Sequence, residues 1–203
     1  MTALRLARLA GLLLLVAGCS GPKGRAQADV DAAARALAAL PPEAEKTVPD
    51  RLTPLSDAVN QGRDQLTRGD YAAASTSVSG VAEKARVIAD SLPLWKAALT
   101  AQLDTLAVAM PRNLAAIQGR LDTIAKTKRV PRGLDAQQLQ EAQQLQAAAS
   151  AEWSEIMEVA HGGDLATAMT RARNLKGRVS RSLEALGLVS DQRAWTNVTL
   201  PPH

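Results

Sequence analysis

The sequence predicts an all-α protein, an antiparallel bundle of long helices built from two similar helical hairpins. Three observations predict this fold class. The chain is rich in Ala, Leu, Gln and Arg, and it contains no Phe and only one Tyr. Its Val and Ile residues never alternate with polar residues over a run, as a half-buried strand requires. Apolar residues recur instead at steps of three and four, which places them on one face of a helix.

The N-terminal part of this helical region is predicted to contain two linkers. Residues 20–28 are polar, with two glycines and a proline, and predict a flexible tether. A short amphipathic helix is expected next, stopping at Pro41-Pro42. Its apolar face consists of Val30, Ala33, Leu37 and Leu40. Residues 43–50 are predicted to form the second linker.

The first predicted hairpin turns at Gly69-Asp70. A long helix with Leu55 and Val59 on its apolar face precedes this turn, and Asp70 is expected to cap a regular helix that continues to Leu92. The seam of that second helix is Tyr71, Ala74, Val78, Val81, Ala85, Ile88 and Leu92. Proline is tolerated in the first turn of a helix, so Pro93 and Pro111 are each predicted to restart the chain in a new helix. Trp95 lies on the next apolar stripe and is predicted to be buried.

The second predicted hairpin turns at Gly162-Gly163. An exposed loop over 126–133 leads to a long helix capped by Asp135, and Asp164 caps the last helix. The inward residues of the two helices include Ala142, Ala149, Trp153, Ile156, Ala168, Ala172, Leu175, Val179 and Leu183. The helical bundle domain is therefore predicted to span residues 50–188, and an irregular tail containing Trp195 spans residues 189–203.

The two hairpins share a weak internal repeat. Gly69-Asp70-Tyr71 with Ala74 corresponds to Gly163-Asp164-Leu165 with Ala168. The Gly-x-Tyr-x-x-Ala step is similar to the hairpin of a tetratricopeptide repeat, a resemblance that implies a tight turn at glycine and a close helix contact at alanine. Two copies fall short of the three that a solenoid needs, and their separation exceeds the 34-residue period of that repeat. The interpretation is a duplicated hairpin within a bundle.

The first 20 residues have the layout of an export signal. Arg5 and Arg8 precede an apolar stretch from Leu9 to Val16, which is shorter than the roughly 20 residues of a membrane-spanning helix. The run Val16-Ala17-Gly18-Cys19 ends it, and Cys19 is the only cysteine of the chain. This run resembles the signal of bacterial lipoproteins. The alternative is an unlipidated leader cut near Ala17 or Gly18 that leaves a free thiol.

The resemblance to bacterial lipoproteins implies that residues 1–18 are a cleaved signal peptide and that residues 19–49 hold the lipidated cysteine, the tether and the short helix. Fatty acyl chains such as palmitate on Cys19 would attach the protein to a membrane. Ser20, rather than aspartate, follows the cysteine, which implies the periplasmic face of the outer membrane. This location also argues against nucleic acid as a partner, as does the small formal net charge of +4.

Few residues suit catalysis or metal binding. His161 and His203 are the only histidines, and Glu158-x-x-His161 is a single copy of a step that di-iron bundles need twice. His161 directly precedes Gly162, so we interpret it as a residue that ends a helix. No serine lies in a Gly-x-Ser-x-Gly turn, and no phosphate-binding loop follows a strand. We expect neither an enzyme, nor a metal, nor a cofactor.

Two groups of cations are candidates for contact with an anionic lipid, glycan or acidic protein. The first group is Lys126, Lys128, Arg129 and Arg132 in the loop, and the second is Arg171, Arg173, Lys176, Arg178 and Arg181 on the last helix. The alternative is that these cations keep the surface soluble and neutralise the negative ends of helices.

The block from Arg120-Leu121-Asp122 through Val130-Pro131 and Leu134-Asp135 to Trp153 resembles a group of uncharacterised helical bacterial lipoproteins. That resemblance implies architecture only. The leading functional hypothesis is a lipid-anchored, non-enzymatic scaffold or interaction module of the bacterial envelope, with an envelope protein or glycan as partner. The alternative hypothesis is a carrier that encloses a small apolar ligand among its helices.

Overall fold

The protein is all-α in the part of the chain that its computed structural model describes, residues 21–129 and 134–188, which contains no strand. The helices of these residues are α1 (Pro22–Ala38), α2 (Glu43–Thr47), α3 (Pro49–Arg68), α4 (Tyr71–Ser77), α5 (Val81–Thr127), α6 (Ala136–His161) and α7 (Leu165–Ala185). The predicted fold class is therefore confirmed. The predicted signal peptide and the predicted tail over 189–203 lie outside the described residues.

The predicted single domain over 50–188 divides into two compact units. Among the described residues, unit 1 comprises residues 21–39 and 53–86, and unit 2 comprises residues 40–52, 87–129 and 134–188. Two helices, α3 and α5, contribute residues to both units because each runs through a unit boundary. The predicted start of the bundle domain at residue 50 lies within the segment Leu40–Leu52 of unit 2, and the helix that precedes this segment belongs to unit 1.

The predicted tether is helical from Pro22 onward. Helix α1 begins with proline in its first turn, where the missing N–H removes no helical hydrogen bond, and Gly21 accepts a hydrogen bond from the Arg25 N–H at 3.2 Å. Ala26 and Val30 are buried in this helix, which packs on α4 within unit 1. The polar composition of residues 22–28 predicted a tether, but one small buried apolar residue per turn (Ala26, Val30 and Ala33) is enough to hold a helix face against a neighbour.

The first hairpin turns where the sequence predicts, but its second helix is shorter than expected. Helix α4 ends at Ser77, and the turn that follows includes Gly80 in the left-handed region at φ +75°. Val78 and Val81 nevertheless remain buried on the two sides of this turn. The apolar spacing predicted one continuous helix to Leu92 because the break keeps the same residues on the inner face.

Helix α5 continues through both prolines that were predicted to begin new helices. It runs for 47 residues with Pro93 and Pro111 inside it. Each proline removes one helical hydrogen bond, but the side chains around it are anchored in the protein interior. The buried residues nearest the two prolines are Leu92, Trp95, Met110 and Leu114. Tertiary burial therefore outweighs the local cost of proline, which spacing and propensity alone do not reveal.

The predicted second linker, residues 43–50, is mostly helical. Helix α2 occupies Glu43–Thr47 and contacts α7 within unit 2, and α3 begins at Pro49. Lys96 Nζ lies 3.4 Å from Glu43 Oε1, and the Arg51 guanidinium stacks on the Trp95 ring at 4.3 Å from its centroid. These contacts hold residues 40–52 against the first half of α5, and they involve residues far apart in sequence.

The second hairpin follows the prediction closely. Asp135 caps α6 through a capping box, in which its carboxylate accepts from the Gln138 N–H at 2.7 Å and the Gln138 side chain accepts from the Asp135 N–H at 3.1 Å. The hairpin turns at Gly163, and α7 extends to Ala185. Helices α6 and α7 contact each other along their length in unit 2.

The two hairpin turns have the same backbone geometry. Gly69 and Gly163 adopt φ +81° and +83°. Asp70 and Asp164 donate their backbone N–H to the carbonyls five residues earlier, at 2.9 and 3.2 Å. The predicted duplication of the hairpin is therefore confirmed at its turn, although the helices that leave the two turns differ in length.

The core of unit 2 is formed by α5, α6 and α7. One cluster of buried residues includes Leu99, Leu103, Met110 and Ile117 of α5, Ala149, Trp153 and Ile156 of α6, and Ala168, Ala172, Leu175 and Val179 of α7. The predicted burial of Trp95, Trp153, Val81 and Leu175 is confirmed. Alanine supplies many of these contacts, so the helices can approach closely although the chain has no Phe.

Candidate functional site

The predicted lipid-attachment residue, Cys19, lies outside the described residues, as do Arg132 and Trp195. The remaining cationic candidates lie in unit 2, at the end of α5 and along α7. The structure places these two groups in different environments.

Two arginines of α7 pair with carboxylates of α6. Arg171 Nη2 donates to Glu155 Oε2 at 2.7 Å, and Arg178 forms an ion pair with Glu152. Both pairs cross the outer edge of the antiparallel hairpin, so their charges are balanced within unit 2. Pairs at this exposure contribute about 0.2–1 kcal/mol each, and they mainly fix the register of the two helices.

The α7 face that looks toward α5 carries two further cations. Arg173 Nη2 donates to Gln102 Oε1 at 3.3 Å, on a buried glutamine of α5. Lys176 is half-buried, and burial lowers its pKa, with a smaller contribution in the same direction from the charge of Arg173. These cations are also engaged with the bundle, which favours a structural role for them.

The cations at the end of α5 are exposed, and they differ from Arg171 and Arg178, which pair with carboxylates of α6. Lys126 lies in the last turn of the helix, Lys128 adopts φ +51°, and Arg129 follows it, all three exposed. Among the described residues no carboxylate forms an ion pair with them. They also lie at the negative end of the helix dipole, which stabilises them without neutralising their field. We define Lys126, Lys128 and Arg129 as the α5 cation cluster.

A groove of about 830 Å³ lies between α6 and α7 in unit 2. The polar and charged residues that line it are Gln138, Glu141, Gln144, Arg178, Arg181, Ser182 and Glu184, and the apolar ones are Ala142, Leu145, Ala148 and Ala185. Charges of both signs line this open groove. It therefore lacks the apolar walls that a carrier of a small apolar ligand requires.

No protein-family model matches the chain, and no match was found among the curated proteins or the solved structures.

The residues considered for metal binding do not converge in the described part of the chain. His161 is exposed in the last turn of α6, and the described residues include no group of three or more His, Cys, Asp or Glu side chains that could hold a metal ion. Glu158 and Glu155 lie one turn apart on α6, and Glu155 is paired with Arg171. None of the described helices is long and apolar enough to cross a bilayer.

Sequence reasoning missed the buried polar residues of unit 2. Gln102 and Asn113 are each 5% exposed on α5, and Ser182 is 8% exposed on α7. Gln102 Oε1 accepts a hydrogen bond from Arg173, whereas the amide nitrogens of Gln102 and Asn113 and the Ser182 hydroxyl have no hydrogen-bond partner among the described residues. One signal was present in the sequence, since Gln102 adjoins Leu103 and follows Leu99 by three residues, which places it beside the apolar stripe.

Proposed function

We propose that the protein is a non-enzymatic, lipid-anchored helical module that faces the bacterial periplasm and acts by contact with an anionic component of the envelope. The observation that carries the proposal is the run Val16-Ala17-Gly18-Cys19 after a charged and apolar leader. A helical body attached to a membrane through its N-terminus can hold or bring together other components without chemistry of its own.

The lipid anchor would act at Cys19. Two acyl chains on one residue already give stable attachment, because each buried methylene contributes about 0.8 kcal/mol. Since α1 begins at Pro22, only two residues separate Cys19 from the first helix. We therefore propose that the helical body lies close to the membrane surface rather than at the end of a long tether.

The α5 cation cluster is the contact surface that we propose for an anionic partner. It combines three cations within four residues that form no ion pair with any described residue, whereas Arg171 and Arg178 are paired inside unit 2. An anionic surface would gain electrostatic attraction from this cluster without first breaking an internal ion pair. The attraction would weaken as salt rises.

The anchor is tested by labelling cells that express the full chain with a fatty-acid analogue. We expect label on the wild type and on Ser20→Ala, and none on Cys19→Ser, which should accumulate with its leader attached. Equal labelling of Cys19→Ser would refute the anchor.

The contact surface is tested by a photo-crosslinking residue at position 128 in intact cells, with position 60 on α3 as the control. We expect adducts from position 128 alone, and a several-fold lower yield when Lys126→Glu and Arg129→Glu are added. A yield that is unaffected by the charge reversal, or by added salt, would contradict an anionic partner.

A further inference from the structure

Helix α5 exposes an apolar row that the fold of unit 2 does not use. The exposed large hydrophobic residues of the described chain are Val87, Leu94 and Val108, at 45%, 70% and 56% exposure. All three belong to α5, and they are separated by 7 and 14 residues, which places them on one face of the helix. Ala101 occupies the remaining position of this heptad row and is exposed. We define Val87, Leu94, Ala101 and Val108 as the α5 row.

The α5 row is self-complementary when it meets a second copy in the antiparallel direction. If Ala101 lies on the two-fold axis, every residue i faces residue 202 − i of the second copy. Leu94 then faces Val108 of the second copy, and Val87 faces Ala115 of the second copy. Leu94, the largest side chain of the row, packs against the branched side chain of Val108. Ala101, the smallest residue of the row, lies at the centre, where the two helices come closest.

One pair of opposite charges beside the row obeys the same symmetry, whereas Asp104 faces Ala98 of the second copy and pairs with no charge. Asp90 and Arg112 are both exposed, and their residue numbers also add to 202. Asp90 of each copy therefore faces Arg112 of the other copy. A parallel pair would instead bring each Asp90 against its own equivalent and each Arg112 against its own equivalent. Like charges across an interface are unfavourable and opposite charges fix the register, so the charges select the antiparallel arrangement.

We propose that the protein forms a homodimer in which the α5 rows of two copies pack antiparallel about a two-fold axis at Ala101. The interface is isologous, with the same patch used by both copies. The helix segment from residue 87 to residue 115 is about 43 Å long at 1.5 Å per residue. One helix face of this length gives an interface at the lower end of the stable size range, so the dimer dissociates on dilution. This inference does not depend on the lipid anchor or on the α5 cation cluster.

A membrane surface is a weaker candidate for covering the row. Helices that lie in a membrane interface carry Lys and Arg on the flanks of their apolar face. The α5 row is flanked by Asp90 and Asp104 as well as by Arg112. The carboxylates of Asp90 and Asp104 beside the exposed leucine and valine disfavour an anionic bilayer, whereas Asp90 suits a second copy that presents Arg112.

The arrangement is tested by a cysteine at the proposed axis. Ala101→Cys is introduced into the full chain together with Cys19→Ser, which leaves one thiol, and the protein is oxidised in mild detergent. We expect a disulfide-linked dimer that forms at least tenfold faster than with Thr100→Cys, which is exposed but lies about 100° around the helix. Leu94→Asp should slow the Ala101→Cys reaction at least tenfold. Equal rates at positions 100 and 101 would overturn the proposal.

The antiparallel register is tested by charge reversal. Asp90→Arg and Arg112→Asp should each raise the dissociation constant of the dimer several-fold in sedimentation equilibrium, and the double variant should restore it. Circular dichroism melts check that every variant remains folded. A double variant that associates as weakly as the single variants would overturn the register. A chain that stays monomeric, yet binds vesicles of anionic lipid through Leu94 and Val108, would overturn the homodimer in favour of a membrane contact.

Discussion

Gly62 of α3 lies directly against Val78, so closely that a Cβ atom at position 62 would be 2.8 Å from Val78 Cγ1. The same Cβ would be 3.1 Å from Val30 Cγ2 and 3.5 Å from the Ala74 carbonyl oxygen. Three elements of unit 1 therefore meet at a position that only glycine fits. Valine is stiff about its single side-chain torsion, so Val78 cannot readily move its methyl group aside.

We expect Gly62→Ala to destabilise the protein by about 1–3 kcal/mol, because overpacking outweighs the gain in helix propensity. Gly177→Ala on α7 is the matched control. No atom lies within 4 Å of its added Cβ, and this change should stabilise by up to about 1 kcal/mol. Urea unfolding of the full chain measures both. A Gly62→Ala protein as stable as Gly177→Ala would mean that α3 is not closely packed at this point.

The capping aspartates of the two hairpins should contribute equally to stability. The carboxylates of Asp70 and Asp164 accept from the N–H groups of Ala73 at 3.3 Å and Thr167 at 3.1 Å. Replacing either aspartate by Ala should cost about 0.5–2 kcal/mol, and replacement by Asn should retain most of that, since the Asn side chain can also cap. Asp57→Ala, at an exposed position within α3, is the control and should change little. Thermal melts that fail to separate the cap variants from this control would contradict the capping role.

Leu175 is expected to be the most sensitive position of the α7 seam. Its side chain is fully buried in the core cluster of unit 2, so Leu175→Ala should cost about 2–5 kcal/mol. Leu175→Asp should prevent folding of unit 2 because it would bury an unpaired charge. Arg181→Ala on the exposed side of the same helix should change the free energy of unfolding by no more than about 0.5 kcal/mol. Circular dichroism melts distinguish these outcomes, and an unchanged melt for Leu175→Asp would place the seam in solvent.

The free energy of unfolding is expected to depend on pH through Lys176, and the sign of this dependence is defined. Its pKa is lowered from the ordinary value of 10.5 in the folded state, because burial and the charge of Arg173 disfavour the protonated form. Protonated Lys176 therefore opposes folding at neutral pH, and this cost disappears as pH rises through the folded pKa toward the ordinary one.

Lys176→Met should thus be more stable than the wild type at pH 7, and the difference should shrink toward pH 10. Urea unfolding of both proteins at the two pH values measures this change. A stability difference that does not vary with pH would show that Lys176 is not titrating within this range.

Much of the fold was predictable from sequence because local signals and burial agree in the hairpins. Asp70, Asp135 and Asp164 indicate where three helices begin. Gly69 and Gly163, which precede two of these aspartates, adopt the positive φ that the tight turn requires. The long helix α5 was not predictable in the same way. Pro93 and Pro111 carry strong local signals for a break, and only the burial of neighbouring side chains overrides them.

The candidate sites were only partly predictable. The sequence identifies cations but not their ion-pair partners, so it does not distinguish Arg178 from Lys128. The structure does, because Glu152 of α6 forms an ion pair with Arg178. The α5 row escaped notice for a different reason. The sequence pattern of an apolar residue at a heptad position is the same for buried and exposed rows. Leu94 differs from buried Leu92 only in the side of the helix on which it lies. Which side is buried depends on which face the other helices cover.

The scarcity of aromatic residues gives the two units different optical signatures. Two of the three tryptophans, Trp95 and Trp153, are buried in unit 2, whereas Tyr71, the only tyrosine, belongs to unit 1. The fluorescence of Trp95 and Trp153 therefore follows the loss of structure in unit 2, while far-ultraviolet circular dichroism follows the helices of both units. If the two units melt separately, the fluorescence and circular dichroism transitions will have different midpoints. The native chain then reveals a departure from two-state unfolding without any added label.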